Sequence, residues 1–198
     1  MGSRQPISID AARFPRGQAR ATLASMTALT DFVPLTLCVL TVSDTRTPDN
    51  DTSGDYLALS LGQAGHRLHE KRIVKDNRYV IRAVVAQWIA DEEIHGVLVT
   101  GGTGFTGRDS TPEAIAPLLD KEMPGFGEMF RVLSYDEIGT STLQSRAFAG
   151  LSNNTFVFCL PGSTSACRTA WEKLIRGQLD ATTKPCNLAG LMPRLREI

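Results

Sequence analysis

Residues 97 to 113 read VLVTGGTGFTGRDSTPE, and the order of residue types in this stretch decides the fold. Val97 to Thr100 is apolar and β-branched without alternation, as a strand covered on both faces requires. It runs directly into Gly101-Gly-Thr-Gly104, and Ser110-Thr-Pro-Glu113 then supplies a cap, a proline and an acidic residue at the start of a helix. Strand, glycine turn and helix in that order form one half of a βαβ unit, with the turn at the carboxyl end of the strand. Glycine tolerates positive φ and brings backbone N–H groups close to a ligand, so the turn can act as a nest for an anion such as phosphate. A tight structural turn uses the same residues and remains the alternative. The stretch carries no Lys-Ser/Thr of a Walker A loop, and its glycines at 101, 102, 104 and 107 do not follow Gly-x-Gly-x-x-Gly, which disfavours a dinucleotide oxidoreductase.

The same grammar extends in both directions. Leu35 to Ser43 is a second apolar strand, followed by a polar loop up to Gly54 and a helix stopped by Gly65. His66 to Val74 reads as a strand. Asp76-Asn77 can cap the next helix, in which Ile81, Val84, Val85, Trp88 and Ile89 fall on one face. Downstream, Pro124 to Leu133 is predicted as a helix, Thr140 to Asn154 as a weak stretch, Thr155 to Leu160 as a strand and Thr164 to Leu179 as a last amphipathic helix. Alternating strands and helices predict a three-layer α/β/α fold around a mostly parallel sheet.

The 198 residues suit one domain, here 31–190, preceded by a variable or disordered extension over 1–30 and followed by a tail over 191–198. A net charge of zero without a basic half argues against a nucleic-acid partner, and no apolar run suits a signal peptide or a membrane span. Cys38, Cys159, Cys167 and Cys186 are widely spaced and read as free thiols, so the chain is expected in the cytoplasm. Cys167 lies near a helix start, which can lower a thiol pKa, but has no histidine neighbour. His66, His69 and His95 have no metal-ligand spacing and are expected at solvated or capping positions, and most arginines, Arg146 among them, as surface charges. Arg108, inside the glycine turn, is the exception.

In an open parallel sheet a ligand sits beyond the carboxyl ends of the strands. Ser43, the Gly101–Gly104 turn and Pro161-Gly162-Ser163 all fall there, and Asp76 and Asp109 flank the same edge. Two carboxylates near a phosphate cradle suit Mg2+, which takes hard oxygen ligands and bridges carboxylates to substrate phosphates. That each aspartate caps a helix is the other reading, and the sequence leaves both open.

Taken in order, Thr41-Val-Ser-Asp44, Asp51-Thr-Ser-Gly54, Asp76, Gly101-Gly-Thr-Gly104, Arg108-Asp-Ser-Thr-Pro-Glu113, Met123-Pro-Gly-Phe-Gly-Glu128, Ser145-Arg146 and Leu160-Pro-Gly-Ser163 resemble the MoaB/MogA family of molybdenum-cofactor biosynthesis proteins over about Leu35 to Asn187. Ile138 to Arg146 and Ala170-Trp-Glu172 look more like the MoaB branch. The resemblance implies the molybdopterin-binding fold and transfer of AMP from Mg-ATP to molybdopterin. On that basis Asp76 and Asp109 correspond to the catalytic, metal-associated pair, Gly101, Gly102, Thr103 and Gly104 to the phosphate cradle, and Ser145 to a substrate contact. Ser43, Asp51, Ser53, Arg108, Pro112, Glu113, Pro161, Gly162 and Ser163 are expected to line the pocket. A homotrimer or homohexamer, and contact with other molybdenum-cofactor enzymes, are implied as well. A relative that binds molybdopterin or a partner without turnover is the second function consistent with the MoaB-like features.

Overall fold

The computed structural model describes residues 31–195; the N-terminal extension and the last three residues of the expected tail lie outside the described residues. Six strands form one sheet in the order β2-β1-β3-β6-β5-β4. β1 (Thr36–Val42), β2 (Arg67–Val74), β3 (Gly96–Thr100) and β6 (Thr155–Leu160) are mutually parallel, while β5 (Phe148–Ser152) runs antiparallel to β6 and pairs with the two-residue β4 (Lys121–Glu122). β2 forms one edge with Arg67, His69, Glu70, Lys71 and Arg72, and β4 forms the other.

The continuous apolar runs of β1, β3 and β6 reflect burial from two sides. Leu37 and Val39 of β1 join Leu98, Phe156, Phe158 and Leu160 under α1 (Thr52–Gln63), α4 (Pro124–Ile138) and α5 (Thr164–Ala170). Cys38, Leu40 and Val42 face the opposite way, with Val97, Val99 and Val157, under α2 (Arg78–Ile89) and α3 (Thr111–Ile115). Each fully buried Leu, Val or Phe contributes about 1.5–3 kcal/mol relative to exposure, so neither face is dispensable. Trp88 and Trp171 are both packing residues, and Trp88 Nε1 donates to Glu70 Oε2 at 2.9 Å.

Helix starts follow the capping residues. Asp51 accepts the Gly54 N–H at the head of α1, Asn77 accepts those of Tyr79 and Val80 at the head of α2, and Ser163 accepts that of Ala166 at the head of α5. The cap of α2 is therefore Asn77, which leaves Asp76 for other work. The last helix continues past α5 through a π-helical turn (Trp171–Ile175) into α6 (Arg176–Leu179).

Several expectations are corrected. The weak stretch 140–154 contains β5, and the Asn153-Asn154 turn joining it to β6 has both residues at positive φ, 43° and 69°, which suits the twist of a tight hairpin. The helix predicted to stop at Leu133 runs on to Ile138, where Gly139 at φ 58° ends it. His66 is 6 % exposed rather than solvated: its Nδ1 accepts the Leu35 N–H at 3.2 Å, as His95 Nδ1 accepts that of Thr36 at 2.9 Å, so two imidazoles hold the entry to β1. Cys167 is buried and its thiol is pushed up to about 11 by desolvation, so its place near a helix start does not lower it. No helix among the described residues is long and apolar enough to cross a membrane.

Candidate functional site

The carboxyl ends of β1, β2, β3 and β6 converge at one edge of the sheet, where the glycine turn leaves β3. Gly101 has φ 101° and Gly102 φ 64°, so both occupy backbone regions that side chains disfavour. Space is as restrictive as conformation. A Cβ on Gly101 would lie 2.2 Å from the Val42 carbonyl oxygen, and one on Gly102 2.4 Å from Thr111 Oγ1 and 2.7 Å from Asp76 Oδ2. The turn is fastened from behind: Gly101 N–H donates to Leu160 O at 3.0 Å, Thr111 N–H to Gly102 O at 3.0 Å, and Thr111 Oγ1 to Gly101 O at 2.8 Å.

Both aspartates border this turn, and neither caps a helix. Asp76 Oδ1 accepts the Ser110 N–H at 3.1 Å and also the Ser110 hydroxyl, tying the loop after β2 to the start of α3. Asp109 Oδ2 accepts from Thr106 N at 2.8 Å and Thr106 Oγ1 at 2.6 Å, and a Cβ on Gly104 would lie 2.8 Å from it. Partial burial raises the Asp109 carboxyl, but hydrogen bonds from Thr106 and Gly104 and the charge of Arg146 outweigh it, so its pKa falls below the ordinary value. Asp44 completes the belt: its Oδ1 accepts the Asp76 N–H at 3.3 Å and its Oδ2 pairs with Arg108.

Arg146 is not a surface charge. Its Nε donates to Gly104 O at 2.8 Å and one terminal nitrogen to Asp109 O at 2.8 Å; the other pairs with Glu113, and the guanidinium lies over the Phe105 ring, 5.4 Å from its centroid. One side chain thus grips both ends of the Gly104–Asp109 loop and the first turn of α3. The Arg146 hydrogen bond, working against slight desolvation, holds the Glu113 carboxyl below its usual range. A fork of fixed geometry meets three acceptors at once, which lysine cannot reproduce.

The turn opens on a cavity of about 420 Å³. Of the predicted site residues, Gly101, Gly102, Thr103, Gly104, Asp109, Ser145, Pro161, Gly162 and Ser163 line it. Asp76 and Arg108 stand behind or beside the turn, and Pro112 and Glu113 begin α3. Ser43 receives the Thr45 and Arg46 N–H groups on its hydroxyl, both at 3.2 Å, and borders a neighbouring depression with Arg46, Lys71, Arg72 and Lys75. Asp51 and Ser53 are buried in the first turn of α1 and stand apart from the cavity wall. Asp51 is spent on Thr41 Oγ1, Gly54 N–H and Lys71, the last at 3.1 Å.

Sequence reasoning missed the opposite wall. Phe130, Ser134, Glu137 and Ile138 from α4, with Ser141 and Gln144 from the following 3-10 turn (Gly139–Gln144), face the glycine turn across the cavity. The polar run before Ser145 was the available signal. The donor set also tests the fit of a metal. Among the described residues no three His, Cys, Asp or Glu side chains cluster closely enough to cage an ion. Asp76 and Asp109, two hard oxygen donors bordering the glycine turn, would suit an ion that keeps part of its water shell and takes its remaining ligands from a bound molecule.

Residues 38–181 match the family model described as "Probable molybdopterin binding domain". The chain is 58% identical over 158 residues to Molybdenum cofactor biosynthesis protein B of Escherichia coli (strain K12), covering 80% of this chain and 93% of that one. A crystal structure of Molybdenum cofactor biosynthesis protein B is similar with a TM-score of 0.72 at 44% identity, over 74% of this chain and 92% of that one. That of the tungsten cofactor synthesizing protein MoaB from Pyrococcus furiosus has a TM-score of 0.64 at 36% identity, over 70% and 89%.

Proposed function

The chain belongs to the MoaB/MogA family of molybdenum-cofactor biosynthesis proteins, on its MoaB branch, and from that membership and the geometry of the glycine turn we propose that it transfers AMP from Mg-ATP to molybdopterin. The observation that carries the reading is a rigid nest of backbone at Gly101–Gly104 with Asp76 and Asp109 against its two ends. In the reaction an oxygen of the molybdopterin phosphate attacks the α-phosphorus of ATP, the bond from that phosphorus to the bridging oxygen breaks, and pyrophosphate leaves with the electron pair. The nucleophile is already ionised, so the protein needs positioning and charge neutralisation more than a base.

The chain's own residues divide that work. The Gly102 and Thr103 N–H groups donate to phosphate oxygens while the Gly101 N–H is held by Leu160 O, Ser145 and the Pro161-Gly162-Ser163 loop bound the substrate, and Arg146 keeps the turn in place. Asp76 and Asp109 would hold magnesium, which when bound supplies positive charge at the phosphates. Ser43, Arg108, Pro112 and Glu113 act one layer out, through the loops they fasten. Homotrimeric or homohexameric assembly belongs to the same proposal, and an exposed apolar row on α4, Met129, Val132 and Tyr135, supports association.

Pyrophosphate release from Mg-ATP, measured with and without molybdopterin, tests the proposal. Release that requires molybdopterin and is lost in both Asp76→Ala and Asp109→Ala is the expected result. Tight molybdopterin binding with no release from the wild type would favour the second reading, a pathway protein that binds the pterin without turnover. That reading draws on the similarity to B proteins in particular.

A further inference from the structure

The cavity has two chemically different poles. At one, the glycine turn offers backbone N–H groups and Asp109; at the other, α4 and the 3-10 turn offer Phe130, Ser134, Glu137, Ile138, Ser141 and Gln144. Among the described residues no arginine or lysine side chain lines it, so an anion has no reason to approach the second pole, where Glu137 adds a negative charge. Glu137 is solvent-exposed along the cavity lining, where a carboxylate is matched by a ligand that presents N–H donors.

Glu137 is held for such a task. Thr169 Oγ1, on α5, donates to its Oε1 at 2.7 Å, and among the described residues no hydrogen bond or ion pair engages its Oε2. A carboxylate has about four lone-pair sites, so both oxygens can still accept. Nearby, Ser134 is buried, and among the described residues no hydrogen bond engages its hydroxyl or the exposed side chains of Ser141 and Gln144.

We propose that Glu137 reads the pyrimidine edge of the pterin, accepting from its ring N3–H and its 2-amino group while the phosphate end lies on the glycine turn. This assignment rests on the molybdopterin reading above and adds to it the residue that selects the ring. Two parallel N–H donors against two carboxylate oxygens make the same bidentate match that a guanidinium makes. Ser134 and Gln144 are placed to meet the 4-oxo group and ring nitrogens, and Ile138 to cover an apolar face.

The test compares two fluorescent ligands on the full-length protein: a 6-alkylpterin carrying a terminal phosphate, and the matching lumazine, whose 2-oxo group replaces the 2-amino group. The wild type is expected to bind the pterin at least about tenfold more tightly, because a site built to receive two donors rejects a ligand that offers one donor and one repelling oxygen. Glu137→Gln keeps an oxygen for Thr169 and adds a donor for the 2-oxo group, and should reduce the preference to less than about threefold. Equal binding of the two ligands by the wild type overturns the assignment without needing a variant. So does a preference that survives in Glu137→Gln. Binding of neither ligand overturns the molybdopterin reading and this assignment with it.

Discussion

The two walls of the cavity are built on opposite plans. On the glycine-turn side nearly every polar side chain is already committed: Asp76 to Ser110, Asp109 to Thr106, Asp44 to Arg108, and Arg146 to two carbonyls and Glu113. On the α4 side, among the described residues, no side-chain hydrogen bond engages Ser134, Ser141 or Gln144, and Glu137 is held by the one from Thr169. The difference teaches where preorganisation is needed. On the proposed reading a phosphate would meet fixed dipoles that need not reorient as charge shifts, whereas a heterocycle would be identified by groups left open for it.

The largest effect should come from the backbone of the fixed wall. Gly101→Ala forces a side chain to φ 101° and brings its Cβ to 2.2 Å from the Val42 carbonyl, and should cost about 3 kcal/mol or more. Thermal unfolding would then shift down by roughly 6–12 °C; an unchanged midpoint would show that the turn is not rigid. Gly162→Ala, whose Cβ would sit 3.3 Å from Gly101 Cα, should cost far less in the same assay.

Next comes Arg146→Ala, expected to lose about 1–3 kcal/mol and to weaken ligand phosphate binding about tenfold, with Arg146→Lys recovering little of either. Full recovery by lysine, in chemical denaturation and phosphate titration, would mean that charge alone matters there.

Acid separates the walls more gently. The folded pKa values of Asp109 and Glu113 lie below their usual ones, so the stability they contribute is present above pH about 4 and is lost as pH falls through the depressed values. Asp109→Asn should flatten that part of the stability profile, measured by denaturation at stepped pH. The smallest effect is assigned to the open wall: Ser141→Ala should leave stability within about 0.5 kcal/mol of the wild type. A larger loss there would erase the contrast.

How far the sequence foretells this follows from how local each feature is. β1, β3 and β6 declare themselves because burial on both faces demands unbroken apolar runs, and the glycine turn because its backbone demands glycine. β5, Phe-Ala-Gly-Leu-Ser, does not: five residues with a central glycine become a strand only because β6 and β4 lie beside them. Asp51 reads as a ligand contact beside Ser53, and only burial against Thr41 and Lys71 reveals the helix cap. Arg146 is one charge among many until three acceptors, from positions 104, 109 and 113, are seen to converge on it.

The borders of the sheet carry a consequence of their own. β2 ends the sheet with a row of ionic side chains, and β4 ends it after two residues, so neither border offers a long apolar template for a foreign strand. Chains crowded together at synthesis are thereby kept from zipping into extended cross-β arrays. Copies that do associate are directed to meet helix against helix, each retaining its own closed set of six strands.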